Sequence, residues 1–165
     1  VIFIKRILQK GLPKPIRQEF VDKLFRQYVS EDEGSFSKEL YMTVDQLKCM
    51  ARTGMYIGSH GYSHEWLDTL NREDQSREID LSLQFLKSLG VNTNAWVMSY
   101  PYGAYNDSLV EIARQKGCKA AFTTEQRLVN LDKDDRLILP RLDTNDLPKD
   151  RHAGKNDWID LAMQQ

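Results

Sequence analysis

The chain has little cysteine, no surplus of either charge and no long apolar run, and each shortage excludes something. Cys49 and Cys118 are the only thiols in 165 residues, too few for a disulfide framework and without metal-type spacing. Their surroundings predict a helix and a strand edge. Both are expected to be reduced, although a single pair does not decide the compartment. A net charge of −1 and a pI of about 6.4 exclude a bulk electrostatic pull toward nucleic acid or anionic lipid. The most basic stretch, from Lys5 to Arg17, is diluted by Leu8, Leu12 and Pro13 and is no nucleic-acid arm. No apolar run approaches the about 18 residues of a membrane span. The chain starts at Val1 rather than Met, and Val1-Ile2-Phe3-Ile4 lacks the build of a signal peptide, so a cut is expected there rather than a natural terminus. Neither a repeat nor a low-complexity tract is present.

What is present is the balance of a globular protein, 41% hydrophobic and 28% charged. One domain over 1–148 is expected, followed by a polar tail over 149–165 in which Trp158, Leu161 and Met163 form a short docking helix. Ile16, Phe20, Leu24 and Tyr28 recur every four residues and predict an amphipathic helix over 14–29. Ser30 to Lys38 is polar and reads as a loop. Thr43 and Gln46 form a capping box for a helix over 44–53 that stops at Gly54. The run from Met55 to Ser59 reads as a buried strand. Asn71 caps a helix with Ile79, Leu83 and Leu86 on one face, ended by Gly90. Ala95 to Met98 is a second strand, broken at Pro101 and Gly103. Asn106 or Asp107 opens a third helix with Leu109, Ile112 and Ala113 inward, ended by Gly117. Ala120 to Thr123 and Leu137 to Leu139 complete four strands. Alternation of this kind implies βαβ units and a parallel sheet or barrel.

Two of the chain's three histidines, His60 and His64, stand four residues apart behind the first of these strands. Neutral imidazole is the commonest ligand for divalent transition metals. The pair can point one way if the segment coils like a helical turn. The alternative is a turn cap and a solvated ring. Tyr100-Pro101-Tyr102-Gly103 follows the second strand and Arg141-Leu142-Asp143 the fourth. In a parallel α/β fold such loops open on one face, so together they make a plausible hydrolytic site.

With these residues the sequence resembles the polysaccharide deacetylases, also called NodB-homology domains or carbohydrate esterase family 4, over roughly residues 43–146. Gly58 to His64 resembles the family's H-(S/T)-x-x-H metal motif, with Gly61 in its second position. Ser99 to Gly103 resembles its R-x-P-Y-G segment, and Gly117 to Thr124 ahead of Arg141 its late strands. The resemblance implies an α/β fold, a distorted parallel (β/α) barrel, here lacking its first strand. It implies a hydrolase that removes N-acetyl groups from a polysaccharide or lipid-linked glycan. The cofactor it implies is a divalent metal, usually zinc, with His60 and His64 as ligands. Tyr102 would then help hold the oxyanion through its backbone N–H. Tyr100, Pro101 and Tyr102 would wall the substrate site, the alternative for the aromatic pair being core packing.

The departures are as informative. The family's T-F-D-D strand, which supplies the base and the third ligand, is absent; Asp134-Asp135 stands in a polar loop and reads as solvated charge. Ser99 replaces the family arginine. Arg141 is the candidate substitute, with an ion pair to Asp143 or Asp146 as the alternative, and Asp143 is the candidate base. His152 reads as a mobile surface residue. The expectation is therefore an inactive fragment of a bacterial deacetylase, the cytoplasm being slightly preferred to the cell envelope. The alternatives are a noncatalytic glycan-binding domain and a hydrolase of another C–N bond. Expected partners are an N-acetylated glycan, no nucleic acid, no membrane span, and a second copy paired through exposed strand edges.

Overall fold

A computed structural model of the chain describes residues 2–150, 152, 154 and 157–162. The contacts divide the chain into two compact units, Val1–Met50 and Ala51–Gln165. In the first unit α1 (Ile2–Arg6) runs into a wider π-type turn (Ile7–Gly11), and α2 (Lys14–Tyr28) covers the expected span. Its stripe is exposed, from 40% at Leu24 to 73% at Tyr28. The segment read as a loop contains α3 (Glu33–Leu40), because the Asp32 side chain accepts from the Ser35 N–H and caps a helix there. Phe36 on this helix meets Phe25 edge to face, with ring centroids 5.3 Å apart. α4 (Val44–Arg52) begins at the expected capping box, in which Thr43 and Gln46 exchange side-chain bonds of 2.7 and 3.2 Å.

The second unit holds the core. Asn71 caps α5 (Arg72–Ser88), accepting from the Asp74 N–H at 2.9 Å, and Asn106 caps α6 (Asp107–Gln115) through the Leu109 N–H at the same distance. Between α5 and α6 lies β1 (Trp96–Ser99), and after α6 comes β2 (Cys118–Phe122). The two strands pair in parallel, with a register shift between Trp96 and Val97. Leu86, Trp96, Met98, Leu109, Ile112 and Ala121 are among the buried residues that join α5, the sheet and α6 in one cluster.

The two outer strands are reduced to single bridges. Ser59 pairs with Met98 on one side of the sheet, and Leu139 with Phe122 on the other, both in parallel. Met55 and Tyr56, expected in a buried strand, are 55% and 61% exposed. Pairing there is confined to Ser59, whose N–H donates to Val97 O at 2.8 Å and whose carbonyl accepts from the Ser99 N–H at 3.0 Å. Gly58 allows the approach, since a Cβ at that position would lie 3.0 Å from Val97 O. At the far end of the chain, α7 (Asp157–Ala162) forms with Leu161 45% exposed, and Met163 lies outside the described residues. Among the described residues no helix is long and apolar enough to cross a membrane.

Candidate functional site

The strand-end position of His60 decides its chemistry. Its Nδ1 stands 2.7 Å from the carbonyl oxygen of Ser99, the last residue of β1. A carbonyl only accepts, so Nδ1 carries the proton and Nε2 keeps its lone pair. The His64 ring lies edge-on to that of His60, with centroids 4.8 Å apart. Partial burial, then the neighbouring His60, lower the pKa of His64 and favour its neutral form. No helical turn brings the rings together. The chain reverses through left-handed backbone at Gly61 (φ 75°) and His64 (φ 55°).

A second left-handed turn faces the first. Tyr102 has φ 59° and Gly103 φ 71°. A tyrosine there is strained, and such residues collect at functional sites. Gly103 has no alternative: a Cβ would lie 2.1 Å from Thr124 Oγ1. The turn sets the Tyr102 ring edge-on to His64 at 4.9 Å, while its face stacks on Trp66 at 4.4 Å and 6°. The result is a continuous row of rings from Trp66 through Tyr102 and His64 to His60.

Two neighbours of Tyr102 do not belong to the site. Against the expectation of a substrate wall at Tyr100 and Pro101, Tyr100 is 0% exposed and Pro101 is also fully buried. The Tyr100 hydroxyl donates to Leu137 O at 2.8 Å and its ring stacks on Tyr105 at 5.4 Å, so it is core.

Arg141 does reach the site. It lines a cleft of about 420 Å³ together with His60, Ser99 and Phe122, and its Nε donates to Thr123 O at 2.9 Å. Asp143 lies apart, in a smaller hollow of about 260 Å³ that also includes Arg141 and Asp146. Its carboxylate caps the turn Thr144–Asp146 and accepts from the Asn145 N–H at 2.8 Å. These bonds hold its pKa below the usual carboxylate value. Asp134 and Asp135 are not loose surface charge. Asp134 takes a two-pronged bond from Arg127, both contacts at 2.8 Å, and Asp135 pairs with Arg114 at 2.7 Å. His152 is exposed.

The sequence reading missed the groups that hold the histidine turn. Ser59 Oγ and Ser82 Oγ share a buried hydrogen bond of 2.7 Å, and Glu78 Oε2 accepts from the N–H groups of Tyr62 and Ser63 at 3.0 and 2.8 Å. Glu78 and Ser82 stand four apart on α5, and that spacing was the available signal. Trp66 was overlooked although it is two residues beyond His64.

Two imidazoles, one of them oriented by a backbone carbonyl, suit a borderline cation such as zinc. They fit it as a partial set. Among the described residues no third His, Cys, Asp or Glu converges with them.

The family model for polysaccharide deacetylase matches residues 26–121, and the chain belongs to that family. Among proteins similar to it is the Bacillus subtilis (strain 168) protein named Putative polysaccharide deacetylase YxkH, 28% identical over 99 residues. That match covers 60% of this chain and 35% of the relative. Among solved structures, the Streptococcus pyogenes deacetylase PplD in complex with acetate matches with a TM-score of 0.56 and 31% identity. That match covers 61% of this chain and 44% of the other. The BpsB deacetylase domain from Bordetella bronchiseptica shares the fold at a TM-score of 0.54 and 20% identity, over 62% of this chain and 48% of that one. The chain thus spans about a third of the length of the curated relative.

Proposed function

We propose that this chain carries the two-histidine half of a metal-dependent deacetylase site that removes N-acetyl groups from a glycan. The observation that carries the reading is the bond from His60 Nδ1–H to Ser99 O, which presents Nε2 beside the His64 ring. His60 and His64 would hold the divalent cation, zinc by the chemistry of the donors, as two of its ligands. A bound cation of this kind lowers the pKa of water and polarises an amide carbonyl.

The chain's own residues then divide the remaining work. Tyr102, held in left-handed backbone, would offer its N–H to the oxyanion, as the family resemblance implies. Arg141 would add a fixed positive charge to the rim of the His60 cleft. The Tyr102–Trp66 stack would hold the turn rigid next to the acetyl group. The parallel strands and their two outer bridges are what four consecutive strands of a distorted barrel would leave. With no positioned carboxylate base among them, the described residues forfeit the ~10²–10⁴-fold that general-base catalysis supplies.

The absence of a third ligand among the described residues favours a second reading, a glycan-binding module without turnover. One experiment separates the two. Binding of an N-acetylated chitooligosaccharide and of its de-N-acetylated form is measured by calorimetry with and without zinc. The deacetylase reading predicts binding that requires zinc and the acetyl group and is lost in His60→Ala. Binding indifferent to zinc and to His60→Ala contradicts it and supports the module.

A further inference from the structure

We infer that Glu78 is a positioning residue that sets the geometry of the two-histidine turn from the neighbouring helix. The inference rests on the reading of His60 and His64 as metal ligands. It starts from an anomaly on α5, whose inward face should be apolar throughout. Gln75 is 0% exposed and Ser82 6%, and Glu78 lies between them, half-buried. At spacings of three and four these residues share one face of the helix. Buried polar groups require partners, and each of the three bonds the loop that carries the histidines, Gln75 also donating to Asn106 Oδ1 at the start of α6. Ser82 Oγ bonds Ser59 Oγ at 2.7 Å, one residue before His60. Glu78 Oε2 accepts from the N–H groups of Tyr62 and Ser63, the two residues before His64. Gln75 Nε2 donates to Leu67 O at 2.9 Å, three residues after His64. The helix therefore grips the loop on both sides of each histidine.

Glu78 is the middle grip and the one that answers the strain. The reversal through Gly61 and His64 turns two successive N–H groups toward one point. Convergent amides of this kind form a concave site for negative charge, and the Glu78 oxygen fills it. Without that oxygen the N–H groups of Tyr62 and Ser63 lose the acceptor that fixes the backbone between His60 and His64, so His64 loses its set position beside His60. Reach and charge both enter, and they can be separated. Glu78→Gln keeps an acceptor oxygen at the same reach and drops the charge. Glu78→Asp keeps the charge and withdraws the oxygen by one methylene.

The test uses the intact chain and two readouts. Zinc affinity is measured by competition with a chromophoric chelator, and amide exchange of Tyr62 and Ser63 is followed by NMR in the metal-free protein. Glu78→Asp and Glu78→Ala are expected to speed exchange at these two amides while the amides of α5 stay protected. Both are expected to weaken zinc by about 10–100-fold, the usual cost of losing a group that orients a ligand. Glu78→Gln is expected to keep the protection and most of the affinity. Unchanged exchange and affinity in Glu78→Asp and Glu78→Ala overturn the inference, as does a Gln variant that loses affinity while the Asp variant keeps it. If the wild-type chain binds no zinc but exchange still responds to Glu78, the metal reading fails and the tether stands.

Discussion

His60 Nδ1 and the carbonyl oxygen of Ser99 stand 2.7 Å apart, which ties the first metal-type histidine to the last residue of β1. The bond spans 39 positions in sequence, yet it is local in space because Ser59 and Met98 form a parallel bridge one residue earlier on each side. Sheet pairing thereby chooses the tautomer. Once Nδ1–H is committed to the backbone, Nε2 is the atom left to meet a cation.

The burial of Tyr100 separates it from Tyr102 in a way that mutation can read. Tyr100→Phe removes the donor to Leu137 O and leaves that carbonyl without its buried partner. A cost of about 1–3 kcal/mol in urea unfolding is expected, with zinc affinity and glycan binding unchanged. A Tyr100→Phe protein that keeps its stability but loses glycan binding would return this residue to the substrate wall.

Gly103→Ala tests the turn that carries Tyr102. The new methyl would enter left-handed backbone 2.1 Å from Thr124 Oγ1 and 2.7 Å from Thr124 N. Backbone strain of about 1–3 kcal/mol adds to an overpacking cost of similar size. Equilibrium unfolding should show a loss of about 2–6 kcal/mol. A variant as stable as the wild type would mean the turn relaxes freely, and the fixed Tyr102 N–H would no longer be credible.

The Asp134–Arg127 pair predicts an acid response. The Arg127 guanidinium, then the Asn130 N–H, hold the Asp134 carboxyl down from 3.8 to about 2. A depressed carboxylate stabilises the fold above its unfolded pKa, and this contribution fades as pH falls from about 4 through about 2. The stability difference between wild type and Asp134→Asn, from urea titrations at successive pH values, should therefore be full at pH 5 and shrink toward zero near pH 2. A difference independent of pH would show that the pair does not form in solution.

Local chemistry was legible in the sequence, and contacts between distant segments were not. Asn71, Asn106 and the Thr43–Gln46 box fix helix starts through bonds three residues long, and all three stand where the pattern put them. The spacing of His60 and His64 pointed to a pair, though a left-handed reversal rather than a helical turn brings the rings together. Tyr100 and Tyr102 look alike in sequence; only the fold puts one under Leu137 and the other beside Trp66. Asp134 and Asp135 read as surface charge because their partners, Arg127 and Arg114, lie 7 and 21 positions away. Glu78 escaped notice for the same reason, its amide partners being 15 and 16 positions earlier.

The account stands on His60 and His64 sharing one divalent cation, and zinc K-edge X-ray absorption tests that directly. The chain is loaded with equimolar zinc, and the spectrum is compared with that of a His60→Ala, His64→Ala protein prepared in the same way. The account predicts two imidazole ligands with Zn–N distances of about 2.0–2.1 Å, and their loss in the double variant. A first shell without imidazole, or one that the double substitution leaves unchanged, would contradict it.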